Sequence, residues 1–174
     1  MLIGIGTATK ISIKLGEHDR DSAEKLLGNA FSLIIIISIL LTICGLLFID
    51  PLLKIFGASD NIIGYGKDFI QVIFMGCIFN MISFGLNHSI RSDGNPKIAM
   101  MSMLMSAIIN IILDPIFIFW MGLGVKGAAL GTVVAQIISS TWILYYFTKG
   151  ASVLKIRKQN LKLDKKIVLS IFAI

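Results

Sequence analysis

The chain has 174 residues, 56% of them hydrophobic and 15% charged, where a typical soluble domain carries about 25% charged residues. With a mean hydropathy of +0.87 it is an integral membrane protein. The net charge of +6 does not point to nucleic acid: the cations cluster between apolar runs, and aromatic stacking platforms are lacking.

Residues 1–9 are apolar and small, too short to span a bilayer. They read as the last turns of a helix that begins earlier, with a short native N-terminus as the alternative. A secretory signal is not expected, because no positive region precedes the apolar part. Residues 10–25 are rich in charge and read as a loop plus a short interfacial helix, with Gly16 as a stop and Asp21 or Ser22 as an N-cap. Residues 26–49 form the first complete span, since about 20 apolar residues suffice to cross the hydrocarbon. Asp50-Pro51 is expected to end it. Residues 52–67 read as a loop with short amphipathic turns, containing Gly57, Asn61, Gly64 and Gly66. Residues 69–90 form the second span, in which Asn80, Ser83 and Asn87 repeat at three and four to give one polar face. Residues 91–97 are a tight turn.

The third span, residues 98–120, holds the only carboxylate well inside an apolar run, Asp114. A charge in hydrocarbon is costly, so an intramembrane Asp is read first as a functional site and second as glue between helices. Ser102, Ser106, Asn110 and Asp114 recur at intervals of four and form one ridge, which must face protein or water. Pro115 lacks an N–H and clashes with the carbonyl of Ile111, so the helix is expected to bend or open beside the acid. Freed carbonyls next to a carboxylate suit a small cation or a proton.

A short Gly-rich link, residues 121–126, leads to the fourth span, residues 127–147. Gly122, Gly124, Gly127 and Gly131 lack the strand and the Gly-Lys-Ser/Thr of a phosphate loop, and read as small residues for close helix packing. Thr132 starts a polar row with Gln136 and Ser140, with Ser139 beside it. Asp114 stands about five residues before the outer end of its helix and Thr132 about five after the start of the next, so at 1.5 Å per residue they share a depth. Two helices joined by a short link are antiparallel neighbours, so Asn110, Asp114 and Thr132 can converge. Residues 149–166 are basic, and residues 167–174 begin another apolar run.

Cys44 and Cys77 lie in apolar spans without ligand spacing and read as small hydrophobes, so no metal site is expected. His18 is in a charged stretch, and His88 has no evident proton-relay partner. The sequon Asn87-His88-Ser89 falls at a helix end on the basic side, which argues against its use. No catalytic cluster appears, so the chain is not read as an enzyme.

The order and spacing of several pieces resemble the multidrug and toxic compound extrusion (MATE) family. They are Ile11-Ser12 with Leu15-Gly16 and Ala23, Phe56-Gly57-Ala58 with Tyr65, and the turn Arg91-Ser92-Asp93-Gly94-Asn95-Pro96-Lys97. Asn110 through Pro115 and Gly124-Val125-Lys126-Gly127-Ala128-Ala129 with Thr132 complete the set. Full members have twelve spans in two six-helix lobes. The resemblance implies an all-α membrane bundle of four complete transmembrane helices with partial helices at both ends. That is most of an N-terminal lobe, from late in the second helix to the start of the seventh. It implies cation-coupled antiport in the cell membrane, in which sodium or proton entry drives export of organic cations and drugs by alternating access. The coupling ion would be held by Asn110 and Asp114 on the fifth helix and Thr132 on the sixth. A first-helix Asp and the C-terminal lobe would complete the machine, and no other cofactor is implied. Asn80, Ser83, Asn87 and Gln136 are candidates for the substrate path. A related flippase for lipid-linked saccharides would need basic residues in the cavity, and the spans hold none. A non-transporting scaffold would have no use for Asp114.

The loops also carry a topology. Thirteen of the sixteen Lys and Arg fall on one side of the four spans, leaving Lys54, Lys67 and Lys126 on the other. Basic loops stay cytoplasmic. Cysteine probes at Lys14 and Arg157, in a background without Cys44 and Cys77, should therefore be labelled from the cytoplasm and a probe at Ser59 from outside. Labelling of Ser59 and Arg157 from the same face would break the four-span arrangement.

Overall fold

A computed structural model describes residues 2–59 and 62–172; Met1, Asp60, Asn61, Ala173 and Ile174, which belong to segments read above, lie outside the described residues. The described residues contain helices and no strand. In order they are α1 (Leu2–Gly16), α2 (Arg20–Leu47), α3 (Ile49–Ile55), α4 (Ile63–Met75), α5 (Cys77–Ser92) and α6 (Pro96–Pro115). A π-helical stretch (Ile116–Trp120), α7 (Gly124–Thr148), a 3-10 turn (Lys158–Leu161) and α8 (Lys165–Phe172) follow. Three stretches are long and apolar enough to cross a membrane unaided: α2, α6 with its π-helical continuation, and α7. The fourth crossing is the bent pair α4 and α5.

The charged segment after residue 10 differs from the loop and interfacial helix expected of it. α1 runs on to Gly16, and α2 starts at Arg20 and is continuous with the first span. Between them the chain reverses in three residues. His18 takes the left-handed conformation at φ 58°. The Asp19 amide bonds back to the Lys14 carbonyl at 2.9 Å and the His18 amide to Leu15 at 3.1 Å, the paired closure that satisfies a helix C-terminus. The N-cap is Asp19, not Asp21 or Ser22: its Oδ1 accepts from the Ser22 amide at 3.1 Å. Hydrogen bonds from Ser22, through its side chain and then its backbone, hold the Asp19 carboxyl below the usual carboxylate range.

Two other boundaries moved for physical reasons. The first span breaks at Phe48, and Asp50-Pro51 sits in the first turn of α3, where a proline costs no helical hydrogen bond. The second span is two helices meeting at 54° beside Gly76. Gly76 is where α7 crosses: a Cβ there would overlap the Val133 side chain. The Thr42 hydroxyl donates to the Phe74 carbonyl at the break, 2.9 Å away. A freed backbone group is thereby satisfied inside the apolar layer, as a membrane demands.

The core lies between α1, α2, α5 and α7, around Ile11, Leu27, Ile34, Leu86, Ile143 and Phe147. α6 packs on α7 from outside and turns Ile108, Ile111 and Ile112 outward. Phe119 and Trp120, 80% and 90% exposed, mark the end of that crossing away from the basic loops, and aromatic side chains favour a membrane interface.

The basic end is tied together by buried acids. Asp93, in the turn between α5 and α6, accepts from the Tyr146 hydroxyl, from Ser152 Oγ at 2.8 Å and from the Val153 and Leu154 amides at 3.3 and 3.2 Å. Glu24 accepts from Arg157 Nε at 2.9 Å and the Lys155 amide at 3.3 Å, with Arg20 Nε at 3.5 Å. Asn29 Oδ1 takes the Asp164 amide at 2.7 Å, and Ser32 Oγ donates to the Leu161 carbonyl at 2.8 Å. The segment after α7 is therefore strapped across the bundle rather than loose. Asp93→Ala strips four donors of their acceptor and should cost about 3 kcal/mol or more. The exposed Asp50–Lys67 pair should cost under about 1 kcal/mol when Asp50 is replaced by Ala. Thermal unfolding of the two variants in detergent checks the ranking; equal melting temperatures would mean that water already serves the Asp93 donors.

Candidate functional site

The site forms where α6 meets α7. The link between them is tight because Gly122 and Gly124 adopt φ 66° and 53°, a region that side-chain-bearing residues rarely enter. Pro115 does not stop the helix. Beyond it the ladder widens, with the Met121 amide reaching back five residues to the Ile116 carbonyl at 2.9 Å. The expected opening beside the acid thus takes the form of a π-helical stretch. Gly127 packs against that stretch so closely that a Cβ would strike the Phe117 backbone.

Inside this hairpin Asn110, Asp114 and Thr132 converge. Asn110 Nδ2 donates to Asp114 Oδ1 at 2.8 Å and to Thr132 Oγ1 at 3.3 Å. The Thr132 hydroxyl spends its own proton on the Ala128 carbonyl at 3.0 Å, so a lone pair is what it turns toward Asn110. The Asn110 amide therefore stands between a carboxylate and a hydroxyl oxygen, where a positive group is wanted. A half-turn of that amide would exchange its donor for its oxygen and leave three oxygens around one point. Gly131 makes the room: a Cβ on it would overlap Asp114 Oδ1. The sequence reading gave Gly131 only a helix-packing role; its second role needs the register of α6 against α7, which spacing does not supply.

A cavity of about 310 Å³ opens beside the triad, lined by Ser83, Phe84, Ser106, Asn110, Thr132 and Gln136 among others. Ser83 and Gln136 are thus brought to the same space as Asn110 and Thr132. Asn80 is not. It lines a separate cavity of about 240 Å³ against Gly4 and Ile34, on the far side of Phe84. Asn87 is buried and donates to the Ala99 carbonyl at 2.8 Å and Ser102 Oγ at 2.9 Å, so it rivets α5 to α6. Ser139, noted in sequence only as a neighbour of the polar row, closes the same inner end by bonding Ser83 Oγ at 2.9 Å and the Ser102 carbonyl at 3.3 Å. Phe84 and Met103 form apolar walls of the cavity that the sequence did not single out, because nothing separates them from lipid-facing residues by type. Cys44 and Cys77 are both free thiols.

A helical bundle of about four crossings, with a cavity of mixed polar and apolar lining beside an acid placed inside an apolar helix, has the make of a membrane transport lobe. Comparison with known proteins agrees. The family model MatE matches residues 1–116, and the chain belongs to that family. The multidrug export protein MepA of Staphylococcus aureus is 33% identical over 175 residues, and that of Staphylococcus haemolyticus is 32% identical over 173 residues. Each comparison covers 99% of this chain, which spans 38% of the length of those relatives. Among solved structures, the inward-facing conformation of a multidrug resistance MATE family transporter of the MOP superfamily matches with a TM-score of 0.93. It is 27% identical, with 99% of this chain and 39% of that one covered. The outward-facing conformation of such a transporter matches at 0.92, with 28% identity and the same coverage. A MOP superfamily transporter from Pyrococcus furiosus, described as having a binding pocket of reverse polarity, matches at 0.91 with 28% identity over 98% of this chain and 38% of that one.

The two close glycines can be told apart experimentally. Gly127→Ala drives a methyl into backbone, which cannot step aside, and should cost about 1–3 kcal/mol as an overpacked contact does. Gly131→Ala meets only the tip of Asp114, which can rotate away, and should cost less while moving the carboxylate. Paired thermal melts in detergent read this; a larger loss for Gly131→Ala would mean that Asp114 is locked and carries the packing.

Proposed function

We propose that this chain forms the N-terminal lobe of a cation-coupled multidrug exporter, in which sodium or proton binding at Asn110, Asp114 and Thr132 alternates with binding of an organic cation. The observation that carries this reading is the convergence of those three side chains beside a cavity lined by both polar and apolar side chains, in the half of the bundle away from the basic loops. A carboxylate there can pair with a cation or take a proton, and either event alters the Asn110 amide that faces the cavity. Ser83 and Gln136 line the substrate path in this reading. Asn80 belongs to a neighbouring space behind Phe84, and Asn87 closes the inner end. The export of drugs by the MepA relatives supports the cargo class. The reading further places the protein in the cell membrane, with the basic loops cytoplasmic.

Near-equal similarity to an inward-facing and an outward-facing transporter, 0.93 and 0.92, supports a lobe that moves as one body. The rest of such a relative's length supplies the facing lobe and the first helix, and access alternates as the two lobes rock. A saccharide-lipid flippase is the weaker reading, because no Lys or Arg is among the residues lining the cavity at the triad.

The test is ion-gradient-driven efflux of a fluorescent organic cation by a complete two-lobe chain, normalised to membrane expression. Asp114→Asn keeps the shape and loses the charge. A hydrogen-bonded charge contributes about 1.5–3 kcal/mol, so efflux should fall about tenfold or more. Thr132→Ala removes one neutral oxygen, about 0.5–1.5 kcal/mol, and should cost less. Full efflux with unchanged ion dependence in Asp114→Asn would move coupling elsewhere and leave the acid as packing.

A further inference from the structure

At the basic end of the bundle, away from the triad, α1 ends, α2 begins and α8 begins around a second cavity of about 340 Å³. Its lining pairs three cations with an apolar floor: Lys10 and Lys14 from α1 and Lys25 from α2, over Ile13, Leu26 and Ile167. No carboxylate is in the lining. Lys14 is paired with Glu17 at 2.6 Å, while Lys10 and Lys25 have no ion-pair partner among the described residues. A further cavity of about 470 Å³ adjoins it, sharing Lys25 and Ile167 and adding Lys162, Lys165 and one carboxylate, Asp164. The two meet at Lys25 and Ile167 in a groove that is mostly apolar around Ile13 and Leu26 and polar, with Lys162, Lys165 and Asp164, toward the loops. The outer walls agree, since Ile13 is 49% exposed and Leu169 of α8 is 59% exposed, which lipid accommodates and water does not.

A ligand for this groove must carry negative charge at one end and hydrocarbon at the other. A free anion satisfies the lysines and leaves the floor of Ile13, Leu26 and Ile167 bare. An uncharged tail leaves the Lys10 and Lys25 ammonium groups, which have no ion-pair partner among the described residues, without a counter-charge. Basic pockets between helices at a membrane surface hold anionic head groups for this reason. We propose that the groove binds one anionic phospholipid from the leaflet on the basic side. Its phosphate lies among Lys10, Lys14 and Lys25, and an acyl chain lies along Ile13, Leu26 and Ile167. The lipid fills the wedge beside the contact of α1 with α8. This inference needs the membrane embedding but not the transport reading, so it can fail or stand alone.

The test is native mass spectrometry of the full chain released from neutral detergent, with phosphatidylglycerol, phosphatidylcholine and inorganic phosphate as probes. One phosphatidylglycerol should be retained and phosphatidylcholine should not. Lys10→Gln/Lys14→Gln/Lys25→Gln should weaken phosphatidylglycerol by about a hundredfold, at roughly fivefold for each lysine. The same change at Lys54, Lys67 and Lys126, on the opposite end, should leave it intact. Ser170→Trp, which fills the cavity and spares the charges, should also abolish retention. Equal retention of both lipids, or wild-type affinity in the triple lysine variant, would overturn the site. Displacement of phosphatidylglycerol by phosphate at matching concentrations would show an anion site instead and overturn the lipid. If Ser170→Trp does not fold, the lysine variants and the phosphate competition decide the matter by themselves.

Discussion

In hydrocarbon, a polar group that the protein does not satisfy is not satisfied at all. That single constraint explains where almost every polar residue of these crossings sits. Asn87 is inside a span, and its amide reaches both a backbone carbonyl and Ser102. Ser83 and Ser139 pair with one another across α5 and α7. Thr42 answers the carbonyl released where α4 and α5 bend. At the basic end the same rule applies to buried carboxylates. Asp93 and Glu24 lie at 6% and 2% exposure and are surrounded by donors from the segment that follows α7. The constraint therefore does more than permit a fold; it fixes which helices touch.

The half of the bundle away from the basic loops obeys the rule only loosely, and the difference has chemical consequences. Asn110, Asp114 and Thr132 are half-buried, and one Asn110 bond is stretched to 3.3 Å. A site whose internal bonds are already short and complete gains little from a ligand. One whose amide bridges two oxygens at unequal distances can give up that bridge to a cation. The π-helical stretch after Pro115 and the absent side chains at Gly127 and Gly131 keep the two helices close enough for this while leaving the carboxylate free to turn.

Much of this was legible in the chain itself, and the boundary of legibility is physical. Apolar length gave the crossings, and intervals of four put Ser106, Asn110 and Asp114 on one ridge. Counting residues from a short link set Thr132 at the depth of Asp114, and the two do meet through Asn110. What spacing could not supply was the neighbour of each face. Asn80, Ser83 and Asn87 share one side of a helix, yet they span seven residues, about 10 Å of rise, and so meet three different surroundings. Asn80 looks onto α1 and α2, Ser83 onto the cavity, and Asn87 onto α6. The 54° bend left no mark either. A glycine in an apolar run is tolerated in a membrane helix, and only the approach of Val133 shows why position 76 must be one. Gly16 does end α1 as its sequence suggests, but His18, in the conformation usually given to glycine, turns the chain at once, so the N-cap falls on Asp19 rather than Asp21 or Ser22. The partners of Asp93 lie 53 to 61 residues away in sequence, beyond the reach of any local pattern.

The two ends of the bundle therefore differ in what they can do. The basic end holds its acids in closed networks, and the segment from Ser152 to Asp164 is bonded across α2 at Glu24, Asn29 and Ser32. A strap so anchored transmits displacement rather than absorbing it, because packed and hydrogen-bonded elements shift between discrete arrangements instead of stretching. A force on α8 reaches α2 through those bonds as well as through the direct packing of α8 on α1 and α2. The opposite end holds Asp114, inside an apolar helix, in an open network beside a cavity. A change of charge at Asp114 acts first on Asn110, then on α7 through Thr132, and α7 is the helix on which α4, α5 and α6 all pack. A local electrostatic event at that end thus acts on the same helix whose inner terminus Asp93 fixes through Tyr146. That shared helix is the physical basis for treating the lobe as one rigid piece.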